Sequence, residues 1–147
     1  MKRLAILALL LAGCAAEPPP PAPAPEPLPP LPTGWRPIPA LTTTGDIVGG
    51  FVQDRGLVID GPVRRAWILL NLREPIPIPE TGGTAQSVRF AGEYRCADRA
   101  WRPLEGDWFA RPNAQDPVHV ERPRGAGFRA AEPGTMGGAF LDAACGL

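Results

Sequence analysis

The chain has 147 residues, with 15 basic and 15 acidic side chains, 21 prolines, 17 glycines and three cysteines. That length accommodates one small domain and little besides. A charge balance with no basic excess argues against a nucleic-acid partner and against a polybasic membrane patch.

Met1-Lys2-Arg3 precedes an unbroken apolar run from Leu4 to Ala12, followed by Gly13-Cys14. Two positive charges ahead of a short apolar run read as an export signal. The run is too short for a membrane-spanning helix, which needs about twenty residues. Leu11-Ala12-Gly13-Cys14 matches the bacterial lipobox, in which the cysteine thiol receives a diacylglycerol. Several acyl chains on Cys14 would anchor the chain stably, where one gives only reversible membrane binding. Ala15 rather than Asp follows the cysteine, which resembles the outer-membrane sorting pattern of Gram-negative lipoproteins. Residues 1–13 are therefore expected to be a lipoprotein signal peptide, and residues 14–39 a lipidated cysteine with a Pro-rich linker.

Twelve of the residues from Glu17 to Pro39 are proline. Proline favours polyproline II, so Pro18 to Pro32 would span roughly 45 Å. Beside a lipid anchor a plain stalk is the default reading, ahead of a PxxP ligand for an SH3-like partner. Residues 40–147 are left as the folded domain. Removal of Lys2 and Arg3 leaves 13 basic residues, every one an arginine, against 15 acidic ones.

The domain reads as mostly β. Ile47-Val48 and Phe51-Val52 suggest a first strand, with Gly49-Gly50 inviting a bulge. Leu57-Val58-Ile59 is a short strand and Asp60-Gly61-Pro62 a turn. In the longer strand from Arg64 to Leu72, Ala66, Ile68, Leu70 and Leu72 share one face, and Arg65, Trp67, Leu69 and Asn71 the other. Glu74 to Gly83, with three prolines and two glycines, is expected to be a loop. From Ser87 to Cys96 the alternation is strict. Val88, Phe90, Gly92, Tyr94 and Cys96 point inward, and Ser87, Arg89, Ala91, Glu93 and Arg95 outward. A turn at Asp98 leads to a return strand from Trp101 to Phe109, and Val118 and Val120 mark a last short strand. Pro133-Gly134-Thr135 starts a helix with Thr135 as N-cap. Its stripe of Met136, Ala139, Phe140, Ala143 and Leu147, with Leu141 and Cys145 on a second side, must be covered by the sheet.

Little in the chain carries chemistry. It has one serine, one histidine and one tyrosine, and a triad would need Ser87 and His119 together. Both sit on the polar side of strands, with no nucleophile elbow around the serine. No metal-ligand spacing is present, so no cofactor is expected. Glu105 and Asp107 read as a solvated pair, and Gly125-Ala126-Gly127 as a loop. The face of Arg65, Trp67, Arg89, Glu93 and Arg95 combines arginine with an aromatic, residue types enriched at protein interfaces. For Trp67 core packing is the competing reading.

Four stretches together resemble the surface-adhesin protein E family of bacterial lipoproteins. The first is Phe51-Val52, leading through Asp60-Gly61 to Trp67-Ile68-Leu69-Leu70-Asn71. The second is Ser87-Val88, opening a strand that ends Glu93-Tyr94-Arg95-Cys96. The third is Phe128 followed by Pro133-Gly134-Thr135, and the fourth is Cys145 near the chain end. The resemblance implies an α+β fold: a small antiparallel β-sheet with a C-terminal helix packed on one face and tied by a disulfide. With Cys14 given to the lipid, Cys96 and Cys145 remain as the pair for that disulfide. The chain departs from the family at Gln53-Asp54, where an Asp usually comes sooner, and from Arg111 to Gly127.

The resemblance and the anchor imply a non-catalytic envelope protein that binds a host or extracellular-matrix protein through Arg65, Trp67, Arg89, Glu93 and Arg95. The alternative is a periplasm-facing accessory lipoprotein that binds another envelope component. Edge strands would let a second copy pair, giving a homodimer.

Overall fold

The computed structural model describes residues 27–41, 45–53 and 58–146. Cys14, the export signal, the start of the Pro-rich segment, Asp54 and Leu147 lie outside the described residues. The alternating stretches form β1 (Trp35–Pro37), β2 (Ile47–Gln53), β3 (Val58–Asp60), β4 (Val63–Pro77), β5 (Thr84–Arg95), β6 (Ala100–Arg111), β7 (Gln115–Glu121) and β8 (Arg129–Ala130). One helix, α1 (Met136–Cys145), follows. Every pairing is antiparallel, in the order β1-β2-β4-β5-β6-β7. β3 continues along the edge of β4 that β2 uses, and β8 along the edge of β6 that β7 uses. The sheet has an upper end at the β6–β7 turn and a lower end at the β5–β6 turn after Cys96.

Strand parity sets the core. Ala66, Ile68 and Leu70 of β4, Tyr94 of β5 and Trp101 of β6 are buried on one face beneath Phe140, Leu141 and Ala144 of α1. Phe90, Trp101 and Phe140 pack as an aromatic triangle with centroids 5.0 to 6.0 Å apart. Gly92 makes room in this face: a Cβ there would lie 2.6 Å from the Tyr94 hydroxyl, so the tyrosine ring folds over the glycine. The Cys96–Cys145 disulfide closes a separation of 49 residues and pins the helix to the lower end of the sheet. Closing such a loop stabilises the fold by about 4 kcal/mol in the chain-entropy account.

Both helix ends are satisfied. The Thr135 hydroxyl accepts from Gly138 N at 3.1 Å, and Gly146 closes the other end at φ 73°. Arg64 donates to the Cys145 carbonyl at 2.9 Å and Arg36 to the Ala143 carbonyl at 3.0 Å. Two strand arginines thus take the negative end of the helix, where cations are favoured. The buried stripe differs from the expected one. Gly138, Phe140, Leu141, Ala144 and Cys145 are buried, whereas Met136 is exposed and Ala139 and Ala143 are half-buried. The disulfide and the Arg64 contact turn the Leu141–Cys145 side toward the sheet.

The linker and the β4–β5 loop are also shorter than composition suggested. Trp35–Pro37, grouped above with the linker, pairs with β2, and Ile38 and Leu41 behind it are buried. Glu74 to Pro77 continues β4, with Ile76 opposite Ala85 and Pro77 opposite Thr84. A register shift between Asn71 and Ile76 takes Pro75, which has no N–H, out of the ladder. The turn closes through Ile78 N to Gly83 O at 2.8 Å. The first strand does have a register shift, but between Ile47 and Gly49, while the Gly49-Gly50 pair expected to bulge stays in the ladder.

The face away from the helix has a covered upper half. Asn71, expected to point outward from the sheet, is buried beside Asn113 of the β6–β7 turn. Its Nδ2 donates to Asn113 Oδ1 at 2.6 Å, and its Oδ1 accepts from Asn113 N at 2.8 Å. Ser87 is buried beside them. Its hydroxyl donates to Arg111 O at 2.7 Å and accepts from Ala114 N at 3.1 Å. Asn113 and Ala114 both hold φ near +60° (58° and 59°), strain that these two side-chain clamps maintain. Asn113 Nδ2 also donates to the Pro29 carbonyl. The chain therefore joins the domain at the upper end, on this face, before reaching β1 at the opposite sheet edge. Leu69, fully buried on the same face, lies where the covered half ends, opposite Arg89 in the ladder.

Candidate binding face

The lower half of the face away from the helix is where the singled-out residues meet. Antiparallel register sets Arg65 opposite Glu93, and Glu93 opposite Arg102 of β6. Arg65 Nε donates to Glu93 Oε1 at 2.8 Å, and Arg102 Nε to Oε2 at 2.7 Å. Glu93 was expected outward but is buried, its side chain 6% exposed between arginines that are 50% and 37% exposed. Burial pushes its carboxyl up, but the hydrogen bonds and charges of Arg102 and Arg65 outweigh that and hold it below the ordinary value. Glu93 is thus a strut that fixes two guanidinium groups.

Arg89 is held differently. It donates through Nε and Nη2 to Asp107 Oδ2 across the β5–β6 ladder. Its guanidinium also lies over Trp67, 4.9 Å from the ring centroid, and within 5.5 Å of Phe109. Trp67 is half-buried under this arginine and on the face away from the core. Arg95 is exposed at the lower corner. Its Cζ sits 4.0 Å from the centroid of Phe128, and that of Arg102 lies 4.7 Å from the same ring. The structure thus brings Arg65, Glu93 and Arg95 together with Arg102 and Phe128, and places Arg89 and Trp67 beside them with Asp107.

Arg102 and Phe128 are the members that strand parity did not single out. Arg102 was accessible in principle: a turn centred on Ala97-Asp98 sets residue 93 opposite 102, an oppositely charged pair. Phe128 had no local signal, because it arrives from the segment before β8. On the helix side of the sheet, an open apolar groove of about 340 Å³ lies beyond the helix start, walled by Leu70, Val88, Phe90, Trp108, Met136 and Phe140.

The polar residues weighed for catalysis do not converge. Ser87 spends its hydroxyl on the β6–β7 turn, and His119 Nε2 lies 3.9 Å from Glu80 Oε2. Glu105 faces Arg122 at 3.6 Å, while Asp107 serves Arg89. Among the described residues no group of three or more His, Cys, Asp or Glu is placed to hold a metal ion.

A C-terminal helix packed on an antiparallel sheet and tethered to it by a disulfide defines a small α+β domain. The family's sequence profile matches residues 35–146, from β1 to the helix cap, and the chain belongs to the Surface-adhesin protein E family. Solved structures share the fold. Crystal form II of Haemophilus influenzae protein E is 15% identical at a TM-score of 0.56, covering 79% of this chain and 90% of that one. The crystal structure of protein E from non-typeable Haemophilus influenzae is 17% identical at a TM-score of 0.52, covering 78% and 75%. No curated protein matches the chain.

Proposed function

We propose that this chain is a lipid-anchored adhesin of the outer membrane, displayed on the cell surface, that binds an extracellular-matrix protein of a host without catalysing a reaction. Membership of the surface-adhesin family supports the adhesive role. The lipobox at Cys14 and the charged, apolar start support the export signal and the palmitate-bearing anchor. Among the described residues no helix is long and apolar enough to cross a membrane. The observation that carries the reading is the lower half of the sheet face. There ion pairs and aromatic rings hold Arg65, Arg89, Arg95 and Arg102 in fixed positions. Arginine ordered before contact loses less side-chain entropy on binding, and arginine and aromatic groups dominate interface energetics. β7, which pairs with β6 at the sheet edge, is where a second copy would add to form a homodimer.

Two measurements test this. Metabolic labelling with a palmitate analogue is expected to tag the wild type and not Cys14→Ser; equal labelling of both contradicts the anchor. Cells carrying the protein are expected to adhere to immobilised extracellular-matrix proteins more than cells lacking it. Equal adherence contradicts the adhesive reading.

A further inference from the structure

We infer that Arg95, held on Phe128 beside Arg102, is the docking point for a carboxylate on an acidic segment of the protein ligand. The inference rests on the adhesive reading above and names what that face recognises. Of the three arginines at this corner, Arg65 and Arg102 spend their Nε donors on Glu93. The Arg95 side chain makes no ion pair and no hydrogen bond among the described residues, yet it is not loose. Its Cζ lies over the Phe128 ring, 4.0 Å from the centroid. The guanidinium N–H donors meet no acceptor among the described residues, so they are available for a two-pronged contact with a carboxylate. Three arginines around one carboxylate leave this corner with a local excess of positive charge, on a chain whose formal net charge is zero. Arg89 is not available in this way, since its Nε and Nη2 already meet Asp107.

The position in the fold agrees. The chain joins the domain at the upper end, where Pro29 meets Asn113, and Arg95 ends β5 at the lower end. From Ser87, beside that joint, to Arg95 the strand runs roughly 25 Å. A domain tethered through its N-terminus thus carries this corner on the end away from the tether. The cations form a compact cluster and not a track, which fits one or two carboxylates of a peptide and not a long sulfated polysaccharide, whose binding needs an extended run of basic groups.

Adherence tests this in cells producing the full-length wild type, Arg95→Ala, Arg95→Gln, Arg111→Ala or no protein, with soluble deca-glutamate or heparin as competitor. Protein-dependent adherence is expected to fall about tenfold in Arg95→Ala, the loss of one charge-assisted contact. Arg95→Gln, which keeps a planar group over Phe128 and removes the charge, is expected to fall equally, with surface amounts matched by immunoblot. Arg111→Ala, an exposed arginine at the upper end of the sheet and outside this face, is expected to retain most adherence, and deca-glutamate to compete with the wild type. Adherence that is equal without the protein defeats the adhesive reading itself. Protein-dependent adherence that survives both Arg95 changes, or is competed by heparin alone, overturns the inference and leaves that reading standing.

Discussion

Tyr94 and Glu93 are neighbours in β5 and face opposite sides of the sheet, with opposite consequences for their polar atoms. Tyr94 is fully buried, and its hydroxyl has no hydrogen-bond partner among the described residues. Burial pushes its phenol well above the ordinary value. An unpaired buried hydroxyl costs about 1–3 kcal/mol. Tyr94→Phe removes it while keeping the ring over Gly92, so urea denaturation is expected to show a gain of about 1 kcal/mol. A loss of that size would mean that the hydroxyl has an acceptor. Glu93 is buried too, but paired. Its lowered folded-state pKa means that the ionised carboxylate contributes stability above the ordinary value of 4.5, lost as pH falls below it. At pH 7 Glu93→Gln is expected to cost about 1 kcal/mol, discounted because both arginines are partly exposed. The gap to wild type should close as pH falls below 4.5 and through the lowered folded-state value; a gap independent of pH would contradict the pairing. Parity alone set Glu93 on the face away from the helix. It did not give the burial, because the neighbouring arginines that fold over it come from separate strands.

Helix α1 shows the limit of reading an element by its own pattern. Gly137 and Gly138 look like a weakness in a helix, where glycine costs up to about 1 kcal/mol relative to alanine. In the fold both are required. A Cβ on Gly138 would lie 2.2 Å from the Glu132 carbonyl oxygen, and one on Gly137 would lie 2.6 Å from Trp101 Nε1. Gly138→Ala is therefore expected to lower stability by about 2 kcal/mol or more, against the gain of up to about 1 kcal/mol that propensity alone would give. Thermal unfolding of the variant decides between the two signs. The helix start was legible because Pro133-Gly134-Thr135 is local chemistry. The buried side was not, because the bond to Cys96 and the pull of Arg64 come from the sheet. The β4–β5 connection failed similarly: Pro75 and Pro77 signal a loop until a bulge takes Pro75 out of the ladder.

For the molecule as a whole, the sheet, its inward face, the capping helix and the Cys96–Cys145 bond were legible, since each follows from alternation, a cap or a cysteine count. The covering of the upper half was not. It depends on Asn71 and Ser87 meeting a turn more than twenty residues away, and on Pro29 crossing to that turn. That covering confines the open part of the face to the lower half. Pro29 thus meets the sheet at one end, and arginine and aromatic groups lie at the other. This arrangement supports the outward-facing placement proposed above. Antibodies raised against the folded domain and applied to intact and permeabilised cells test that placement most directly. Equal staining of both is the predicted result. Staining that appears only after permeabilisation would contradict it and place the domain in the periplasm.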